Sequence, residues 1–201
     1  MAEKIMVDIF RKKSLDELSQ ALAQPESRLE SGSAAAAVAA VAASLFCRAA
    51  QLAAGEPEQG GRMEYILRNC EILRKYMLHL VDEDVKCRGP LNRALREGEP
   101  RAIEAARQPA VAISGEILNM MGKLLELGLE LKPLCPKAAV HYLAEGAELA
   151  ISAGRSARLY IMDMSGYCSD ETYRYVSRRE NELLLEQFEP MARELVSAVE
   201  G

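Results

Sequence analysis

The fold is decided by residues 33–53, which read SAAAAVAAVAASLFCRAAQLA. Eleven of these 21 residues are alanine, so a helix formed by them presents few large side chains, and its neighbours can approach its backbone closely. The segment is apolar on every side, and we therefore expect it at the centre of the protein. Its continuous apolar part ends at Arg48 after 15 residues, whereas a bilayer span needs about 20, so no membrane partner is expected.

The rest of the sequence also predicts helices. Alternating runs of β-branched residues are nearly absent, and the helix formers Ala, Leu, Glu, Arg and Met dominate. Ser14 and Glu17 have the spacing of a capping box at the start of a first helix, which stops before Pro25. The other expected elements are helices over residues 62–87, 91–96, 101–132, 136–164 and 170–199, and loops over residues 25–31 and 55–61.

Three prolines bear on this pattern. We expect Pro90 to break or kink the third helix, Pro109 to kink the fourth or mark its start, and Pro190 to bend the sixth. The predicted fold is all-α, a single domain over residues 1–201 in which long helices surround the Ala-rich one. Rods about 30 Å long leave a wide apolar flank, which predicts a homodimer.

Composition and charge exclude several classes of protein. The 201 residues carry 25 Lys plus Arg against 30 Asp plus Glu, an acidic balance that argues against nucleic-acid binding. A hydrophobic fraction of 49% excludes intrinsic disorder. The five cysteines are scattered without a CxxC pair, so neither a zinc knuckle nor a redox pair is indicated. Lys4 and Asp8 interrupt the region of a signal peptide, which predicts a cytoplasmic protein.

Several motifs follow one another in a recognisable order. A loop, Leu29-Glu30-Ser31-Gly32-Ser33, precedes the Ala-rich helix; Leu80, Asp82 and Asp84 form a Leu-x-Asp-x-Asp motif; and Pro136 and Ala138 open a later helix. In this order, residues 8–199 resemble the cyclodeaminase/cyclohydrolase family of folate enzymes. That family includes the C-terminal domain of formiminotransferase-cyclodeaminase and the bacterial methenyltetrahydrofolate cyclohydrolases.

The resemblance implies a fold and an activity. Members of the family are all-helical dimers whose folate cleft is lined by a glycine-rich loop. They either close formiminotetrahydrofolate to methenyltetrahydrofolate with loss of ammonia, or hydrolyse the methenyl form to the formyl form. The implied ligand is a tetrahydrofolate derivative, bound as substrate, and no metal is expected.

The family's motifs also imply site residues. The Pro-Gly-Gly-Gly-Ser loop of the family corresponds to residues 29–33, which makes Ser31, Gly32 and Ser33 substrate-binding candidates. His141 stands where the family has Asp and would act as general base, with Asp82 either orienting it or stabilising the cationic methenyl group. Asp84 is a further substrate-binding candidate. Asp82 and Asp84 point about 200° apart around a helix, so we expect one to face the cleft and the other to be solvated. Three basic residues are candidates for the folate carboxylates: Lys137, Arg155 and Arg158.

Two alternatives remain open on the same residues. The altered loop and the missing Asn and Asp positions favour a non-catalytic helical dimer that serves as a binding or structural module. The other alternative is a metal site between facing helices. It rests on two i,i+4 pairs, His79 with Glu83 and His141 with Glu145.

Overall fold

A computed structural model describes residues 9–54 and 60–199 of the chain. Within these ranges there is no β-strand, which confirms the all-α prediction. The α-helices are α1 (Leu15–Leu22), α2 (Ser31–Ala53), α3 (Gly60–Glu97), α4 (Pro100–Leu131), α5 (Val140–Ser165) and α6 (Glu171–Val196). Short 3₁₀ turns lie at Phe10–Lys12, Lys132–Leu134, Lys137–Ala139 and Ser197–Val199. Of the predicted loop at 55–61, residues 55–59 lie outside the described residues, and the last two belong to α3.

The capping box predicted for the first helix is present. The Ser14 hydroxyl accepts the backbone N–H of Glu17, and the Glu17 carboxylate accepts the backbone N–H of Ser14. No residue of α1 is buried, however, and Leu15 is 82% exposed. The first helix therefore packs on the outside of the core, through the partly buried Leu18 and Ala21.

Helix α2 lies between α3 and α5, and most of its alanines are buried. Phe46 fills the space that small residues leave on two neighbouring helices. A Cβ atom added at Gly128 of α4 or at Gly146 of α5 would lie 2.3 or 2.6 Å from the Phe46 ring. The expectation that α2 is central is thus confirmed, although one of its faces remains exposed at Val38 and Val41.

Helix α2 begins at Ser31, two residues earlier than the sequence predicted, and ends at Ala53 as expected. Its length of 23 residues and its hydropathy satisfy the criteria for a membrane span. In the structure 61% of the most apolar window is buried inside the protein, as in a core helix of a globular domain.

The helices continue through their prolines. Pro90, Pro109 and Pro190 all lie inside helices, so the predicted break at Pro90 and the predicted start at Pro109 are wrong. Val85 and Leu91 are buried on either side of Pro90. Packing of both halves of α3 therefore offsets the hydrogen bond that the proline removes.

The direction of the helices determines which residues meet. Helix α2 runs antiparallel to α5, because the Arg48 guanidinium stacks on Tyr142 early in α5, 4.8 Å from the ring centroid. It also runs antiparallel to α3, because Ser33 at its start contacts Asp84 in the second half of α3. The start of α2 therefore lies beside the later part of α3 and far from the start of α5.

Candidate functional site

A cleft of about 580 Å³ lies between α1, α2 and α3, within the size range of small-molecule sites. Its floor is the exposed face of α2, with Val38 and Val41, and α1 closes one side with Leu15, Leu18 and Leu22. The predicted apolar face of α1 therefore faces this cleft. Three basic residues stand among the apolar ones: Arg11, Lys13 and Arg74.

Arg11 connects the cleft with the acidic motif on α3. Its backbone N–H donates to Asp82 Oδ1 at 3.2 Å, and its Nε lies 3.2 Å from Asp82 Oδ2. Asp82 is only 7% exposed, so its carboxylate is held largely by this one residue. Asp82 is thus placed one side chain away from the cleft.

His79 is the histidine next to this pair. Its Nδ1 lies 3.3 Å from Arg11 Nη1, and its Nε2 lies 3.4 Å from Glu83 Oε1. Residues 79, 82 and 83 share one face of α3 because they are three and four positions apart. This spacing is visible in the sequence, where it marks His79 and Glu83 only as half of a possible metal site.

Asp84 of α3 caps the start of α2, although the two are far apart in the sequence. Glu30 is the residue that precedes α2, and its side chain makes no capping hydrogen bond. Instead Asp84 Oδ2 accepts the backbone N–H and the hydroxyl of Ser33, both at 2.8 Å. Gly32 makes room for this carboxylate, since a Cβ atom there would lie 2.3 Å from Asp84 Oδ1.

The two aspartates point to different partners, as their spacing predicted, but the expectation that one is solvated is wrong. Asp82 contacts Arg11, and Asp84 is completely buried. The reason is that α3 is buried over several turns here, between α2 on one side and the N-terminal 3₁₀ turn on another.

A buried arginine, Arg88, pairs with the carboxylates at the start of α2. Arg88 is 3% exposed; its Nη1 lies 2.5 Å from Glu30 Oε2 and its Nε lies 3.8 Å from Asp84 Oδ2. Its guanidinium stacks on Tyr160, 4.4 Å from the ring centroid, and burial raises the pKa of the Tyr160 hydroxyl well above its usual range. The negative charge that Glu30 brings to the loop is therefore balanced within the protein.

The loop residues expected to contact a folate do not lie at the cleft. Gly32 and Ser33 are buried and do not line the cleft, because Asp84 occupies the space beside them. Ser31 is exposed. The first turn of α2 is thus covered by the chain's own charges.

His141 lies at the other end of the molecule. It is exposed on the first turn of α5, beside Tyr142, which stacks with Arg48 near the end of α2. Ser33 and Arg48 are 15 residues apart on α2, which corresponds to about 22 Å. The expected orientation of His141 by Asp82 is therefore wrong within one protomer, since sequence spacing gives no information on helix direction.

The basic candidates are also dispersed. Lys137 is exposed in the 3₁₀ turn before α5, at the same end as His141. Arg155 and Arg158 bind α6 through Glu189 and Glu182, at 2.8 and 3.3 Å. They hold two helices together and do not form one cluster with Lys137.

The two pairs suggested for a metal site are not brought together. His79 lies with Glu83 near the cleft, whereas His141 lies at the opposite end of α5 from this region. Across residues 9–54 and 60–199, no three His, Cys, Asp or Glu side chains are arranged to hold a metal ion.

The cysteines are placed as small apolar residues. Cys47 of α2 and Cys70 of α3 are buried, and burial raises the pKa of each thiol to about 12. A thiol with so high a pKa stays protonated near neutral pH and is a poor nucleophile.

Comparisons with known proteins agree with the sequence resemblance. A family model described as Formiminotransferase-cyclodeaminase matches residues 14–182. The 2.80 Å crystal structure of formiminotetrahydrofolate cyclodeaminase from Thermotoga maritima matches with a TM-score of 0.84, covering 94% of this chain and 98% of that chain, at 17% sequence identity. A comparison with curated protein sequences gave no significant match.

Proposed function

The chain belongs to the formiminotransferase-cyclodeaminase family, and from this premise we propose that it binds a one-carbon-substituted tetrahydrofolate in the cleft between α1, α2 and α3. The reaction proposed there is ring closure of the formimino form to the methenyl form with release of ammonia. The observation that carries the proposal is the contact of Arg11, which lines the cleft, with both Asp82 and His79.

The lining of the cleft suits such a ligand. The pterin and aminobenzoyl groups present broad ring faces that pack well on aliphatic side chains, and the floor offers Val38 and Val41 of α2. The carboxylates of the folate tail pair well with guanidinium and ammonium groups, which Arg11, Lys13 and Arg74 supply.

The reaction starts from the cation of the formimino group, whose nitrogen already carries two hydrogens, so one further proton must move to it from N10. The N10 nitrogen attacks the formimino carbon, a new C–N bond forms, and the bond from that carbon to the departing nitrogen breaks. His79 accepts the proton from N10 and returns it to the departing nitrogen, which leaves as ammonia. Imidazole suits this task because its ordinary titration lies near neutral pH. Hydrolysis of the methenyl form would use the same histidine to activate a water molecule.

A second candidate function rests on the start of α2. Gly32 and Ser33 are buried. The side chains of Asp84, Glu30 and Arg88 occupy the space at which the glycine-rich loop of the family would contact a folate. A chain that lost this contact with folate and kept its helices would act as a non-catalytic binding or structural module. In either case we propose a cytoplasmic homodimer; large apolar side chains exposed outside the cleft, such as Leu52, Ile72 and Leu159, support self-association.

The test compares a variant of each of the two histidines with the wild type. Wild type, His79→Gln and His141→Gln are titrated with a tetrahydrofolate derivative by thermal shift, and turnover is followed through the methenyl chromophore. We expect ligand to raise the melting temperature of all three proteins. Turnover should fall by about 10²–10⁴-fold in His79→Gln and remain unchanged in His141→Gln.

Other outcomes decide between the alternatives. Turnover lost only in His141→Gln would assign the proton transfer to His141 and refute the role of His79. Ligand binding without turnover in wild type would establish the non-catalytic module. A melting temperature that no folate derivative changes would contradict folate binding altogether.

A further inference from the structure

We propose that Arg11 is a positioning residue: it fixes the tautomer of His79 and occupies the Nδ1 lone pair of that histidine until a ligand enters the cleft. The inference rests on the proposed function only where it concerns the ligand. The contact between the two side chains is a property of the free protein and is tested there.

The direction of the hydrogen bond follows from the chemistry of the two groups. A guanidinium group has N–H donors and no acceptor. The Nη1 of Arg11 lies 3.3 Å from His79 Nδ1, so this nitrogen must accept with its lone pair. The proton of the neutral imidazole is then on Nε2, which faces Glu83 Oε1 at 3.4 Å. Both ring nitrogens of His79 are therefore engaged.

This arrangement leaves His79 unable to act as a base. A lone pair that accepts from a guanidinium is not free to accept a proton from a substrate nitrogen. The Nε2 atom is equally unavailable, because it carries the proton of the neutral ring; Glu83 Oε1 lies 3.4 Å from it. Proton transfer at Nδ1 becomes possible only when Arg11 Nη1 moves away.

The two partners differ in how easily they move. His79 lies in the middle of α3, a helix of 38 residues. Arg11 lies in a three-residue 3₁₀ turn in which no residue is buried, and α1, which follows, also has no buried residue. Segments with so little buried surface rearrange at low free-energy cost.

The cleft provides the means to move Arg11. Arg11 lines the cleft and is 37% exposed, so an anionic group of a bound ligand can reach its guanidinium. Charge-assisted pairing with a carboxylate is stronger than a hydrogen bond to a neutral imidazole. Because the guanidinium is planar and rigid, Nη1 leaves His79 only when the whole group swings, while the bond from the Arg11 backbone N–H to Asp82 keeps the turn in place. Binding would thus release the base at the moment when its substrate is present.

The experiment measures the reactivity of His79 in the ligand-free protein. The chain has two histidines, and His141 lies beside the end of α2, on Tyr142's turn of α5, with no contact to Arg11, so it serves as an internal control. Acylation by diethyl pyrocarbonate is followed at each histidine by peptide mass spectrometry. We compare wild type with Arg11→Ala, Arg11→Lys and the neighbouring exposed variant Lys12→Ala.

We expect Arg11→Ala to accelerate acylation of His79 severalfold and to leave His141 unchanged. Lys12→Ala should behave as wild type, and Arg11→Lys should restore part of the protection because it keeps a donor. Nitrogen-15 spectra of the imidazole should show wild-type His79 with its proton on Nε2 alone and a mixture of tautomers in Arg11→Ala.

An unchanged acylation rate at His79 in Arg11→Ala would overturn the proposal. Equal acceleration at both histidines would also overturn it, since that pattern reports general loosening. Because no folate is present, a positive result stands even if the folate proposal fails, and a negative result leaves folate binding intact.

Discussion

One oxygen of Asp84 accepts both the backbone N–H and the hydroxyl of Ser33, at 2.8 Å each, and so caps a helix that begins 53 residues earlier in the sequence. Helix starts favour negative charge because their first N–H groups are unpaired. In most helices the residue that precedes the first turn supplies this cap. Here α3 supplies it, which fixes α2 and α3 to each other.

Gly32 is required for this contact. In Gly32→Ala the new Cβ would meet the Asp84 carboxylate at 2.3 Å, so we expect the free energy of unfolding to fall by about 1–3 kcal/mol. Gly115→Ala is the matched control, because nothing lies within 4 Å of a Cβ at that position of α4. It should stabilise the protein by about 0.5–1 kcal/mol. Urea denaturation measures both, and equal effects of the two changes would contradict this role of Gly32.

Arg88 balances two carboxylates in a buried place. Its replacement in Arg88→Met leaves Asp84 and Glu30 without their cation, which should cost about 3–5 kcal/mol of unfolding free energy. The matched change Arg155→Met removes a pair whose arginine is 53% exposed, and should cost at most about 1 kcal/mol. Similar losses in the two variants, measured by urea denaturation, would show that Arg88 is not held by these charges.

The sequence predicted the fold well because the decisive information is local. The alanine content of α2 and the capping box at Ser14 are readable over a few residues, and both predictions hold. The spacing of the acidic motif likewise predicted that Asp82 and Asp84 point in different directions, but not that both are buried.

The site was harder to predict because it depends on tertiary contacts. Nothing in the sequence shows that α2 and α5 are antiparallel, which separates His141 from Asp82. The pairing of Glu30 with Arg88 joins residues 58 positions apart and is equally hidden. The proximity of His79 to Asp82, in contrast, was readable from their three-residue spacing on one helix face.

Phe46 occupies space that two glycines leave open. In Gly146→Ala the new Cβ would lie 2.6 Å from the Phe46 ring, so we expect a loss of about 1–3 kcal/mol in the free energy of unfolding. The double variant Gly146→Ala with Phe46→Leu should lose less than the sum of the two single changes, because the smaller side chain relieves the overlap. Strict additivity in a double-mutant cycle would contradict a direct contact.

Glu104 makes stability depend on pH in the acid range. The Arg107 guanidinium, the Ser169 backbone N–H and the Cys168 thiol lower the pKa of its carboxyl from 4.5 to about 2. A pKa lowered by folding stabilises the native state above about pH 4.5, and this contribution is lost as the pH falls toward about 2.

The variant Glu104→Gln should therefore melt at a lower temperature than wild type near neutral pH. The gap between the two melting temperatures should narrow progressively between about pH 4.5 and about pH 2. Thermal melts followed by circular dichroism over this range measure the gap. A constant gap would mean that the Glu104 carboxylate does not contribute through its charge.

The carboxylate that Asp84 places against α2 has a consequence for how the protein behaves in the cell. Since the chain carries its own anion at this helix start, its core is complete before any small molecule arrives. Folding and resistance to proteolysis then do not depend on the concentration of a metabolite. The cellular level of the protein should therefore stay constant whether the ligand proposed for its cleft is abundant or scarce.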